Sequence, residues 1–459
     1  MITHHDLCDL VRTSAEALDI VGAQAAVRQG DQLREAQCGY ANLGTRAPVT
    51  GHTIFQVGST TKLFTAALAL RLADRNELDI DVPVARYLPA ARFAEDSAAQ
   101  EITPRHLMSM SSGMDNGPYR DTGCGADAIA EYVRILADIP LISPPGKQFG
   151  YSNASTIVLG HLLETLTGRS WDDLLRLELL GPLDMRHSCT RPEDQVYFSV
   201  AVGHVPRADP PEFRRPWILS RGMGPAGTTL CASASELTRF GQMMLREGKG
   251  PGGHQVLSPR AVALMQEPQV AVPAKLFADD WGVGAYHRKW NGTDLYGHSG
   301  TNLGGSSTLL WIPEHDVTIA TTVNVPQAGY PFAAQILQGV AAHLGMGGPG
   351  PATGRQAGEV DPDVYRGIYR SYGQEWEIRE RPDGRLLARR HHLTADNFEP
   401  GSAGRVIEAS LEALGDHRFL PDADELTDDH RWELAFVLGP DGRAEYLLNG
   451  AFAARRVAR

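Results

Sequence analysis

The chain has 459 residues, with 43 Lys and Arg against 55 Asp and Glu, a formal net charge of −12 at pH 7. That length exceeds what one growing core sustains and points to two domains. Hydrophobic residues at 42% and charged residues at 21% exclude a disordered or fibrous chain; an acidic total without a basic cluster excludes a nucleic-acid binder.

No stretch approaches the ~20 apolar residues of a membrane-spanning helix, so membrane insertion is not expected. Cys8, Cys38, Cys124, Cys189 and Cys231 are odd in number and scattered, without metal-ligand pairs, so a reducing compartment is expected. The opening Met1–Asp6 has neither the basic flank nor the apolar core of a secretory signal, and the expected location is cytoplasmic.

Along the chain, Gly22 to Tyr40 and Ile54 to Val57 read as strands. Asp127 to Leu136, Ala154 to Leu166 and Ser235 to Met244 carry apolar residues at helical intervals, and Trp281–Gly284 and Ser306 to Val323 again read as strands. Two strand segments so far apart can pair in one sheet that the middle helices cover, giving an α+β body with a cleft where they meet. Residues 346–358 are too rich in Gly and Pro to continue a helix or strand and read as a linker. Beyond it, short alternating pieces such as Trp376–Ile378, Arg385–Ala388 and Trp432–Leu438 are separated by the turns Pro382-Asp383-Gly384 and Gly439-Pro440-Asp441-Gly442, which predicts a small antiparallel β domain. The division is therefore 1–345, linker 346–358, and 359–459. The tail's acidic residues Asp422, Asp424, Glu425, Asp428 and Asp429 serve solubility in this reading.

The sharpest chemical signal is Phe55-Gln56-Val57-Gly58-Ser59-Thr60-Thr61-Lys62. Leu63, Ala66, Ala67 and Leu70 mark the buried stripe of a helix starting near Ser59, so Ser59 and Lys62 share a face and bring hydroxyl and amine together. Read alone, the pattern more often describes a Ser cap followed by a solvated Lys. It is not a phosphate loop, because the Gly-x-x-x-x-Gly-Lys frame is missing.

Tyr151-Ser152-Asn153 stands at a second loop-to-helix junction. A phenol there can carry a proton, and Asn153 offers both an amide donor and a carbonyl acceptor, although a packed aromatic and a helix cap are the plain alternatives. Tyr296-Gly297-His298-Ser299-Gly300-Thr301-Asn302 precedes a strand; its small residues let a substrate backbone approach an edge, and His298 is placed to steady a proton or a substrate carboxylate. Asp115, Asn116 and Tyr119 lie in a polar segment that could reach substrate, although a structural loop is the plainer reading. His391-His392 lacks the spacing of a zinc site, and no metal or other cofactor is expected.

Together, Ser59-Thr60-Thr61-Lys62, Tyr151-Ser152-Asn153 and His298-Ser299-Gly300 resemble, in order and spacing, the signature of the penicillin-recognising serine hydrolases: class C β-lactamases, D,D-peptidases, D-aminopeptidases and related esterases. The likeness spans about residues 10–340, with Pro225-Ala226-Gly227 similar to the family's Gly-rich turn. The resemblance implies Ser59 as nucleophile, Lys62 as base, Tyr151 as proton relay, and Asn153 as the group orienting Lys62 and substrate. It further implies an oxyanion hole at the backbone N–H groups of Ser59 and Thr301, with Ser299, Gly300 and Asn302 binding substrate. His298 stands where many relatives have Lys, which weakens a β-lactamase reading.

With its β-rich tail, the chain most resembles penicillin-binding-protein-type thioesterases, peptide cyclases that carry a lipocalin-like domain. That resemblance implies a β-lactamase/transpeptidase-like domain, an antiparallel sheet with a helical cluster, followed by a lipocalin-like barrel. It implies head-to-tail macrolactamisation of a nonribosomal peptide presented by a peptidyl carrier protein and ending in a D-residue. The alternative is an esterase or D-specific amidase or aminopeptidase; a ligand-binding protein without catalysis is the non-enzymatic option.

Overall fold

A computed structural model describes residues 2–95, 97–205, 212–218, 220–348, 360–394, 402–422 and 433–458. Helix α1 (His4–Ala17) begins where the Thr3 hydroxyl accepts the Asp6 N–H, and it buries Leu7, Val11 and Ala15 at helical spacing. The hairpin β1 (Gly22–Gln29) and β2 (Gln32–Asn42) follows. Next come α2 (Thr61–Asp74), α3 (Ala128–Ile135), α4 (Asn153–Thr167) and α5 (Ala234–Leu245). Strands β3 (Tyr286–Trp290), β4 (Thr293–Thr301), β5 (Ser306–Ile312) and β6 (Val317–Val323) lead to α6 (Gly329–Leu344). The helix expectations hold to within about a residue, except that Leu136 already belongs to a 3₁₀ turn, Leu136–Asp138.

The strands form a nine-stranded sheet in the order Ala47–Pro48, β2, β1, β6, β5, β4, β3, Asp280–Trp281, Val270–Ala271. The two distant segments meet at its centre, with Ala26 opposite Ala320. Alternation sends Ala25, Val27, Leu310 and Ile319 into one core with Leu7, Val11, Phe332 and Ile336, while Ala26, Leu309, Trp311 and Ala320 join the helical cluster on the other face. Helix α2 is buried almost all round, from Thr61 to Leu72, because it runs through the middle of that cluster. The expected strand Trp281–Gly284 is corrected: only Trp281 lies in one, since Gly284 turns at φ +88° to bring the backbone against Ala66 of α2.

The tail is a closed eight-stranded antiparallel barrel. Its strands are β7 (Gly367–Arg370), β8 (Gln374–Glu380), β9 (Leu386–His392), β10 (Val406–Gly415), β11 (Arg418–Pro421), β12 (Leu434–Leu438), β13 (Ala444–Asn449) and β14 (Phe452–Ala458). Tyr369, Trp376, Phe419, Phe436 and Leu447 fill its core. Of the linker read at 346–358, residues 349–358 lie outside the described residues, as do Asp424, Glu425, Asp428, Asp429 and Trp432. Asp422 sits 3.7 Å from Arg385.

The barrel packs on the large domain through Ala435, Leu448 and Ala451, which share a core with Tyr151 and Trp281. Glu433 fixes the contact: one carboxylate oxygen takes the Leu276 N–H at 2.6 Å, the other pairs with buried Arg418 at 3.0 Å. Glu433→Ala removes the buried carboxylate from this ion pair and from the Leu276 N–H, and is expected to cost about 3–5 kcal/mol. An unchanged midpoint in urea unfolding would contradict this account of the interface.

Candidate active site

Ser59 stands on a 3₁₀ turn, Gly58–Thr60, that leads into α2. Gly58 has φ +56°, and a side chain there would meet the backbone of Gly300 and Thr301 at 2.5–2.8 Å. Gly300 repeats the constraint from the other side: its absent Cβ would lie 2.2 Å from Val57 O and 2.4 Å from Ser59 N. Gly227 does the same against Gly58, so three chain segments meet backbone to backbone around the serine.

Lys62 lies one turn along α2 and is 1% exposed. Its Nζ is 3.0 Å from Ser59 Oγ, and it donates to Asn153 Oδ1 at 2.5 Å and to Ala226 O at 2.6 Å. None of these is a carboxylate, and burial alone drives the amine's pKa well below its ordinary value. A neutral amine has two N–H bonds and one lone pair. Asn153 Oδ1 and Ala226 O can only accept, so they take the N–H bonds and the lone pair is left to the Ser59 hydroxyl.

Tyr151 opens the loop before α4, is 7% exposed, and lies close enough to the Ser59 hydroxyl for it to act on the phenol's pKa. Burial holds its pKa well above the usual phenol value, against a smaller opposing effect of the nearby Ser59 hydroxyl. The resting pair is therefore neutral amine and neutral phenol, with Lys62 Nζ 4.9 Å from the centre of the Tyr151 ring. Asn153, the first residue of α4, is aimed by its neighbours: its N–H bonds Asn116 Oδ1 and its amide donates to Tyr119 Oη. Through these bonds the Asp115–Tyr119 loop orients the site.

The expected oxyanion donors also converge. Asn302 N–H bonds Gly305 O, and antiparallel alternation then turns the Thr301 N–H away from β5, toward Gly58 and Ser59. Pairing of β4 with β3 ends at Gly297 opposite Tyr286, which leaves the Ser299–Thr301 edge beyond β3.

Two expectations are corrected. Asn302 does not face substrate: it is 2% exposed, donates to Gly227 O and Thr228 O, and accepts from Leu303 N–H, so its amide ties β4 to the glycine turn. His298 cannot hold a carboxylate as a cation. Burial, then the nearness of Lys62, brings its pKa down to about 3, and Nδ1 donates to Ser299 O at 2.6 Å. It is a neutral ring packed against Trp281, Tyr151 and Tyr286. Ser299 Oγ lies at the edge but is held by Thr308 and Tyr286 hydroxyls at 3.0 and 3.2 Å.

Three participants act in ways that the sequence did not signal. Tyr330, at the start of α6, lies beside the Thr301 side chain, which acts on its phenol. Ala226 acts through its carbonyl, which any residue carries, and Ala451 of the barrel accepts the Tyr151 N–H at 2.9 Å. Among the described residues no group of three His, Cys, Asp or Glu side chains is arranged to hold a metal.

Gly300→Ala is expected to separate Ser59 N from Thr301 N and lower kcat on an ester by roughly 10²–10³-fold. A variant retaining wild-type kcat would show that the close approach is not needed for the reaction.

Comparison with known proteins agrees with this geometry. The Beta-lactamase family model matches residues 8–342. Penicillin-binding protein 4 of Amycolatopsis lactamdurans is 36% identical over 310 residues, 66% of this chain and 81% of that protein. Unguisins hydrolase ungD' of Aspergillus campestris is 24% identical over 336 residues, 70% of this chain and 61% of that protein. The crystal structure of SurE superposes with a TM-score of 0.81 at 25% identity, and its form with D-Leu at 0.79 and 26%, each covering 99% of both chains. The protein is a serine-hydrolase-type enzyme, and the chain belongs to the β-lactamase family.

Proposed function

We propose that the protein is an acyl-enzyme esterase or amidase for neutral esters, thioesters or amides whose acyl group ends in a D-residue. The observation that carries this reading is the Lys62 amine, buried without a carboxylate partner and 3.0 Å from Ser59 Oγ.

In the first half-reaction Ser59 Oγ attacks the acyl carbonyl while its proton passes to Lys62. The carbonyl oxygen becomes an oxyanion facing the Ser59 and Thr301 N–H groups. As the tetrahedral species collapses, the bond to the leaving atom breaks, Tyr151 gives that atom its proton, and Lys62 returns a proton to the Tyr151 oxygen. In the second, an acceptor adds to the ester carbonyl, its proton moves to Tyr151 as Tyr151 passes one to Lys62, and Lys62 protonates departing Ser59 Oγ. Atoms and charge balance, and both side chains end as they began.

Neither Lys62 nor His298 offers a positive charge to a leaving group. A carboxylate placed beside them would be buried unpaired, so substrates with a neutral leaving group are favoured over β-lactams or peptides that depart as a free amino acid. The D-preference is supported by the SurE form with D-Leu, and a hydrolytic outcome by ungD'.

A second reading, macrolactamisation of a carrier-bound nonribosomal peptide by a penicillin-binding-protein-type thioesterase, is favoured by the barrel's bond to the Tyr151 N–H, which brings a second domain up to the catalytic loop. There the acceptor is the peptide's own amine, which gains from being tethered near the ester.

Ser59→Ala is expected to abolish release of p-nitrophenol from an N-acyl-D-amino acid p-nitrophenyl ester, and Lys62→Met to slow it by about 10²–10⁴-fold; turnover by Ser59→Ala at the wild-type rate would defeat the covalent mechanism. Acylation needs neutral Lys62, so kcat/KM rises with pH through that group's depressed pKa. It stays high until Tyr151 ionises above its ordinary value of 10.0. A profile that climbs only near the ordinary lysine value of about 10.4 would mean that Lys62 is not the base. Wild-type enzyme should also prefer D- over L-acyl esters and neutral over anionic leaving groups by at least tenfold in kcat/KM; equal rates for either pair would remove that part of the proposal.

A further inference from the structure

The turn Asn449-Gly450-Ala451 of the barrel, between β13 and β14, sits on the catalytic loop. Ala451 O accepts the Tyr151 N–H at 2.9 Å, and Gly150 leaves room for Ala453, whose Cβ would be 3.4 Å from an added side chain. Phe452 follows directly. Its ring centre lies 5.6 Å from that of Tyr151 at 86°, edge to face, and the residue is 42% exposed, whereas Tyr151 is 7% exposed. A large aromatic side chain thus stands on the solvent side of the phenol without being absorbed into the barrel core.

Under the proposed mechanism, on which this inference rests, Tyr151 receives the proton of whatever attacks the Ser59 ester. The acceptor must bring its reacting atom to the phenol oxygen, and Phe452 flanks that phenol. We propose that Phe452 lines the acceptor's approach and sets the choice between an amine bearing an apolar side chain and water. Such an amine packs against the ring and removes apolar surface from water; a water molecule gains nothing there and meets a surface it cannot hydrogen-bond. Phe452 is a specificity-determining residue for the second half-reaction, contributed by the β domain.

Both products come from one acyl-enzyme, so their ratio does not depend on how fast that ester forms or on how much enzyme is folded. If Phe452 acted only by holding Tyr151 in place, its loss would slow attack by amine and water alike and leave the ratio unchanged. The full-length protein is given the N-acetylcysteamine thioester of N-acetyl-D-leucine, with phenylalanine amide or glycine amide as acceptor, and amide and acid products are quantified by mass spectrometry. Phe452→Ala is expected to lower the amide-to-acid ratio at least fivefold with phenylalanine amide and less than twofold with glycine amide, with Phe452→Leu recovering most of the loss. An unchanged ratio in Phe452→Ala, or an equal fall for both amines, overturns the assignment while leaving acyl transfer intact. Acid alone from wild-type enzyme with both amines overturns it together with the macrolactamisation reading, and leaves the hydrolase reading standing.

Discussion

A lysine amine held in the protein interior with only uncharged oxygens around it is the feature on which the rest of the site depends. Moving an ammonium out of water without a counter-ion is expensive, and the group escapes the cost by giving up its proton. Loss of the proton makes Lys62 a base, and the two fixed acceptors decide where its lone pair points. Between the depressed folded pKa and the ordinary unfolded value, the unfolded chain binds a proton that the folded one does not, so this residue lowers stability as pH falls through that window. The enzyme tolerates the loss because the same burial creates its reactivity.

Keeping Lys62 dry requires that three segments close on it, and each closes through backbone. Gly58, Gly227 and Gly300 admit contacts that any Cβ would block, and Asn302 ties the turn carrying Gly227 to β4. The same approach that seals the lysine aligns the Ser59 and Thr301 N–H groups. Base and oxyanion donors are therefore products of one packing arrangement, not separately placed parts.

The barrel extends that arrangement outward. It bonds the backbone of Tyr151 through Ala451 O, and the Tyr372 N–H donates to Asp115, whose neighbour Asn116 receives the Asn153 N–H. Asp115 is buried, and desolvation raises its pKa against the backbone donors that favour the carboxylate. Both groups that address Lys62 and Ser59 from the α4 side are thus braced by the second domain.

Much of this was legible in the chain. The Ser59–Lys62 spacing, the Tyr151–Asn153 pair at a helix start and the small residues of His298–Gly300 stood out as candidates, because helix geometry and glycine's freedom are local properties, and the family resemblance supplied the roles. The α+β body and the all-β tail could likewise be read, since hydrophobic periodicity is a property of neighbouring residues. Other features became visible only in the fold. The neutral state of His298, the structural employment of Asn302, the role of the Ala226 and Ala451 carbonyls, and the position of Phe452 beside Tyr151 had no signature. Protonation depends on how much water surrounding segments exclude, and a carbonyl is common to every residue. The sequence alone determined which groups could react; tertiary packing decided their charges, their directions and what stands at the entrance, because those depend on segments hundreds of residues apart meeting at one point.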